Sequence, residues 1–233
     1  MDQAAIYERH AAEYDALVAA EDHKGNLMPA IEAIAPLAGA RVVEAGAGTG
    51  RITRQLVARG AHVTAFDRSP AMLAVARAHL EAMQQPDRWT LAEADARALP
   101  VPKGEADLAL AGWVFGHLRL WLPDGWRDAI GTALAELKRA LRPGGTLLVI
   151  ETLGTGRDEA GPPSPALAEY YTWMEREHGM KRLAIRTDYA FADVEEAARI
   201  TGFFFGEAFG EKVRREGSAI IREHTGLWSV TVR

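Results

Sequence analysis

A short apolar run, Val42-Val43-Glu44-Ala45, breaks directly into Gly46-Ala47-Gly48-Thr49-Gly50 and then into a segment of helical periodicity. Strand, glycine turn and helix in that order make one βα unit, which sets strong limits on the rest of the chain. Glycines let a backbone approach a ligand where a Cβ would collide, and the helix that follows presents N–H groups with no intrahelical partner. From residue 41 the same alternation repeats. Strands are expected at Arg41 to Ala45, His62 to Phe66, Trp89 to Glu93, Asp107 to Ala111 and Thr146 to Glu151. One helix is expected from a Thr49 cap to Gly60, and a second opens at Ser69-Pro70 with Leu73, Ala76, Leu80 and Met83 along one face. A third carries Ile130, Leu134, Leu137 and Leu141 on one side and stops at Pro143-Gly144-Gly145. This pattern predicts an α/β chain with a parallel sheet, and 233 residues suffice for a single domain spanning 1–233.

The flanks read differently. Tyr7, His10, Tyr14 and Leu17 fall on one helical face, and a short helix is expected from an Asn26 cap through Ile31 and Ile34 to Pro36, so residues 1–38 form a helical cap. The stretch from Thr152 to Tyr189 departs from the alternation, with Gly154, Gly156, Gly161, Pro162, Pro163 and Pro165 followed by Tyr170, Tyr171, Trp173 and Met174. It reads as a loop and covering helix, an insertion over 152–190. A further helix opens at Asp193 to Glu196, and Ser218 to Val232 reads as a hairpin turning near Thr225 and Gly226.

Composition narrows the function. With 32 acidic against 27 basic residues the net charge is -5, which disfavours binding to bulk nucleic acid. The chain has no Cys, so disulfides, thiolate nucleophiles and thiolate metal sites are absent, and no metal is expected. Asp2, Glu8, Arg9, Glu13 and Asp15 interrupt every apolar run near the start, and no run approaches the ~18 apolar residues of a membrane span. A cytoplasmic protein, free of the membrane, is the expectation.

The glycine order E-x-G-x-G-x-G differs from the G-x-G-x-x-G of dinucleotide sites, and the acid at the strand end would repel a pyrophosphate but not an ammonium and a sulfonium. Here the chain resembles the class I, Rossmann-like S-adenosylmethionine-dependent methyltransferases, in their small-molecule branch, over Arg41 to about Ile150. The resemblance implies that Glu44, Gly46, Ala47, Gly48 and Gly50 surround the methionine part of S-adenosylmethionine. It implies that Asp67 takes the ribose hydroxyls with Arg68 and Met72 beside it, and that Asp95 and Ala96 face adenine. Ala111 would lie along the cofactor, with Trp113 near it and Tyr14 or Tyr7 covering it. Arg142 to Leu147 resembles the family's turn into strand five. The implied fold is a seven-stranded, mostly parallel sheet of order 3-2-1-4-5-7-6, its last pair antiparallel, with helices on both faces.

Methyl transfer needs a base only where the acceptor must lose a proton. His117, after strand four, is the candidate, with His10 second. Trp113, Phe115, Tyr170, Tyr171, Trp173, Met174, His178 and Arg186 are expected to wall a pocket for a small, partly apolar acceptor. A transferase acting on O, N or C of a small molecule, as a monomer or homodimer, is therefore the leading expectation. A cofactor-binding protein without catalysis, a methyltransferase acting on transfer RNA or protein, and an NAD-dependent reductase remain alternatives. Ala111-Gly112-Trp113-Val114 lacks the Asx-Pro-Pro-aromatic motif by which nucleic-acid amino-methyltransferases grip a target nitrogen.

Overall fold

Strand β1 (Arg41–Ala45) lies at the middle of a parallel array, between β2 (His62–Asp67) and β4 (Ala106–Gly112), with Val43 opposite Thr64 on one side and Ala109 on the other. The structure, a computed structural model, describes residues 10–233. Beyond β2 lies β3 (Trp89–Glu93), and beyond β4 lie β5 (Leu141–Thr155), β9 (Glu223–Thr231) and β6 (Lys181–Arg186), giving the order β3-β2-β1-β4-β5-β9-β6. The last two pairings are antiparallel. The order is the expected one, with β9 as the seventh strand of the main sheet. Strands β7 (Tyr189–Ala190) and β8 (Ile220–Ile221) form a separate small pair.

Successive strand residues point to opposite faces, and each face has its own core. Val43, Ala109, Leu147 and Val149 meet α6 (Trp126–Ala140) and α7 (Pro165–Glu177) through Ile130, Leu134, Leu137, Tyr170 and Trp173. Val42, Leu108, Leu148 and Ile150 meet α2 (Leu27–Ile34), α3 (Arg51–Ala58) and α4 (Pro70–Ala82) through Ile31, Leu56, Leu73 and Leu80. Leu134 and Leu56 are fully buried, and trimming either to Ala removes about 2–5 kcal/mol. A third cluster joins Leu17 of α1 (Ala11–Ala20) to Ala197 and Ile200 of α8 (Val194–Phe205) and to Val213 of α9 (Glu207–Glu216). The remaining helix, α5 (Phe115–Trp121), follows β4.

Several local expectations change. Asn26 stands before α2, but its side chain does not cap the helix; Asp22 does, its carboxylate accepting from the Asn26 and Leu27 N–H groups at 2.8 and 2.9 Å. Gly50, with φ +80°, precedes α3 in place of a Thr49 cap. Ser69 and Asp193 cap α4 and α8 as expected, accepting from Met72 N–H and Glu196 N–H. No hairpin turns at Thr225 and Gly226: both lie inside β9, paired with Thr152 and Glu151 of β5. Gly226 is small because the Trp228 ring crosses the space its Cβ would take. The strand beside β9 is β6, within the supposed covering insertion.

Candidate functional site

The strand order reverses between β1 and β4, where an open α/β sheet leaves a crevice beyond its C-terminal edge. Two cavities occupy it. A crevice of about 140 Å³ runs past Asp67, Arg68, Met72, Asp95, Ala96 and Trp121. A chamber of about 380 Å³ extends over Glu44, Ala47, Arg51, Glu151 and Glu223 and is roofed by Phe204, Phe205 and Phe209. Tyr14, Gly46, Gly48, Gly112, Trp113 and His117 line both, so the two spaces meet there.

The three loop glycines serve different ends. All have positive φ, but a Cβ on Gly46 would strike the Val114 side chain, and one on Gly50 would stand 3.0 Å from the Ala76 Cβ of α4. Those two allow close packing within the protein. Gly50 lines neither cavity, which corrects its expected place beside a cofactor. Gly48 alone of the three faces open space, with only Tyr14 nearby at 3.8 Å. The loop is pinned by the Phe66 carbonyl, which accepts from Gly46 N–H and Ala47 N–H at 2.7 and 2.9 Å.

Asp67 ends β2 with each carboxylate oxygen holding one backbone donor: Oδ2 accepts from Gly48 N–H and Oδ1 from Ser69 N–H, both at 2.8 Å. Each oxygen keeps a further lone pair for a ligand. Burial pushes its pKa up, against the pull of those two N–H groups. Met72 is buried beneath the crevice, and the Arg68 guanidinium lies 5.2 Å from the Trp121 ring centre. Asp95 lines the crevice but is engaged by Arg97, whose Nε and Nη2 donate to it at 2.8 and 2.6 Å and hold its carboxyl below its usual range. Ala111 is fully buried within the sheet and lines neither cavity; the strand's alternation hands that position to Gly112.

The chamber is rich in buried charge. Glu44 accepts from the Thr53 hydroxyl at 2.6 Å, and burial pushes it up to about 8. Glu21 and Arg51 form a buried ion pair, and the Arg51 guanidinium lies 4.7 Å from the Trp113 ring centre. Trp113 itself has φ +54°, a backbone strain of about 1–2 kcal/mol that turns the chain out of β4 at the junction of the cavities. Glu151 accepts from Gly116 N–H at 2.8 Å, and burial raises it to about 8. Among the described residues, Thr49 Oγ1, Glu21 Oε1, Arg51 Nη2 and Glu223 Oε2 are buried polar atoms of the chamber lining that find no hydrogen-bond partner.

Comparison with known proteins decides what this crevice belongs to. The family model described as a methyltransferase domain matches residues 43–149. Over those residues this chain is similar to a methyltransferase domain. The chain is 33% identical over 153 residues to a malonyl-[acyl-carrier protein] O-methyltransferase of Serratia marcescens, covering 66% of this chain and 53% of the relative. It is also 33% identical over 153 residues to a ubiquinone/menaquinone biosynthesis C-methyltransferase of Paracoccus denitrificans, covering 63% and 57%. The chain thus spans little more than half the length of these curated relatives. The fold is similar to that of a Haemonchus contortus phosphoethanolamine N-methyltransferase solved with S-adenosylhomocysteine, with TM-score 0.60 and 16% identity over 96% of this chain and 57% of the other.

Within and around residues 43–149, the expected acceptor wall is largely wrong. Phe115, Tyr170, Tyr171, Trp173 and Met174 pack into the core of the sheet, not the chamber. His178 rests on the Trp173 ring, and Arg186 pairs with Asp188 at 2.7 Å. Of the expected wall only Trp113 lines the chamber, with Leu167, Pro163 and Arg157 from the covering segment. His117 does stand at the junction, stacked on Trp121 with ring centres 5.3 Å apart, and burial lowers its pKa to about 4. His10 lines neither cavity; its ring meets Phe203, and Tyr7 lies outside the described residues. Sequence reasoning missed Arg51, Glu151, Glu223 and the three phenylalanines of the roof. A charged residue inside an apolar run, Glu151 after Leu147-Leu148-Val149-Ile150, was the available signal for one of them.

Proposed function

We propose that the protein is a cytoplasmic S-adenosylmethionine-dependent methyltransferase that moves a methyl group onto O, N or C of a small-molecule acceptor. The observation that carries this reading is the meeting of a narrow crevice, ending on Asp67, with a larger roofed chamber at Gly48, Trp113 and His117. One space suits a nucleoside, and the other suits an amino-acid tail and an acceptor. The residues fit the cofactor: Asp67 offers two charged acceptors to a vicinal diol, and Gly48 leaves bare backbone beside it. The Arg51 Nη2, without a partner among the described residues, would take a carboxylate, while the buried Glu44 would regain its charge beside an ammonium.

S-adenosylmethionine, when bound, supplies a methyl group on positively charged sulfur. The chain's own work is alignment, which lowers such a barrier by up to about 7–11 kcal/mol. Trp113, Tyr14 and the roof phenylalanines exclude water from the junction. His117 is neutral at pH 7 and can accept a hydrogen bond from an acceptor hydroxyl or amine, so its first task is to orient.

Calorimetry with S-adenosylhomocysteine, followed by turnover with a panel of small hydroxyl, amine and phenol acceptors, tests the reading. Binding with turnover supports it; binding without turnover on any small or macromolecular acceptor points to a non-catalytic binding protein. No binding to wild type removes the assignment.

A further inference from the structure

Glu223 begins β9, opposite Thr155 of β5, and is 1% exposed. Its main chain is held at both ends, since its N–H donates to Asp188 Oδ1 and its carbonyl accepts from Thr187 N–H, each at 3.0 Å. One carboxylate oxygen is also settled: Oε1 accepts from the Thr152 hydroxyl at 2.6 Å, and that hydroxyl accepts from Gly154 N–H at 3.1 Å. The Thr155 hydroxyl is near enough to favour the charged carboxylate but does not reach hydrogen-bonding geometry with Oε2. Oε2 is therefore a rigidly placed, buried oxygen without a partner among the described residues, its residue lines the chamber, and its hydrogen bond is left for what enters there. Burial and the neighbouring Glu21 both push this carboxyl up, so an incoming donor relieves a real cost.

The rest of the chamber narrows the ligand. Its wall carries the acids Glu21, Glu44, Glu151 and Glu223, which burial already holds back from ionising, and its Arg51 is paired with Glu21, so a carboxylate entering there would be one more acid to strip of water in a poorly screened space. The roof is apolar. Resting on the methyltransferase reading, we propose that Glu223 binds the methyl acceptor through an N–H or O–H group, and that the acceptor is an uncharged or cationic amphiphile with a donor head and an apolar body, not a carboxylic acid.

The test is calorimetry on protein saturated with S-adenosylhomocysteine, using phenethylamine, phenethyl alcohol and phenylacetate as matched probes. The expected result is that the amine or the alcohol binds about tenfold or more tighter than phenylacetate, and that Glu223→Gln, which puts a donor where the acceptor was, closes the gap to about twofold. Glu223→Asp, which keeps the charge but withdraws the oxygen, should narrow it too and serves if the Gln variant fails to fold. Phenylacetate binding as tightly as the others, a gap that survives in the variants, or no probe binding overturns the proposal. Loss of S-adenosylhomocysteine binding by wild type would instead sink the cofactor reading beneath it.

Discussion

Gly48 N–H donates to Asp67 Oδ2 at 2.8 Å, joining the open glycine of the β1 loop to the acid at the end of β2. One hydrogen bond thus sets the distance between the bare loop backbone and the carboxylate proposed to grip a ligand. Asp67→Asn keeps the shape and an acceptor oxygen but removes the charge. Its affinity for S-adenosylhomocysteine should fall about tenfold or more, with the melting temperature nearly unchanged. Wild-type affinity in calorimetry would remove Asp67 from the site.

The loop glycines should separate by substitution. Gly46→Ala drives a methyl group into Val114 and should lower the melting temperature strongly. Gly48→Ala meets only Tyr14 at 3.8 Å and carries the strain of φ +54°, about 1 kcal/mol, so it should lose cofactor affinity more than stability. Equal melting losses in the two would contradict this division.

Arg51 and Glu21 have side chains 10% and 4% exposed, so removing one partner leaves a charge buried alone. Arg51→Leu should cost about 3–5 kcal/mol, and Glu21→Gln on top of it should recover part of the loss. Urea unfolding of the single and double variants measures this coupling, and simple additivity would deny it.

Burial raises Glu151 from 4.5 to about 8. Between those values the folded protein holds a proton the unfolded chain has lost, so this group's contribution is fully present on the acid side and declines as pH rises through about 8. Glu151→Gln should flatten the fall of melting temperature with rising pH over that window. A slope as steep as in wild type would show that Glu151 ionises freely in the folded state.

His117, lowered to about 4 by burial, is already neutral across the physiological range. The pH profile of kcat/KM should therefore show no inflection at the ordinary imidazole value of about 6.5. His117→Ala should slow turnover while leaving S-adenosylhomocysteine affinity as it was. Full activity in that variant would remove the residue from the mechanism.

The half of the molecule that holds Asp67 was readable because its code is local: strand, glycine turn and capped helix follow one another within a few residues, and Ser69 caps α4 as its position suggests. The other half is written at long range. Strand β6 lies at the sheet edge with most of its residues exposed, so no buried alternation marks Lys181 to Arg186 as a strand. Gly226 looks like a turn but is a strand residue crossed by Trp228. Gly202 and Gly210 look like breaks, yet they let α8 and α9 cross closely, since a Cβ on Gly210 would stand 2.6 Å from the Ala198 carbonyl. The aromatic run in α7 was read as a pocket because hydrophobic residues announce burial without saying against what; they fill the core. Ala111 missed the crevice by one residue, the cost of a register error in a strand of period two.

Strand β9 starts at Glu223 in the chamber and reaches Trp228 in the core, five residues on, after the chain has built the roof of α8 and α9. Asp67, Met72 and Asp95 of the crevice thus precede Gly112 in the sequence, while the chamber's roof and Glu223 follow it. On the proposed reading, change in that later stretch exchanges one acceptor for another while the crevice around Asp67 is inherited intact, so divergence among such proteins should concentrate in the roof and at the head of that strand.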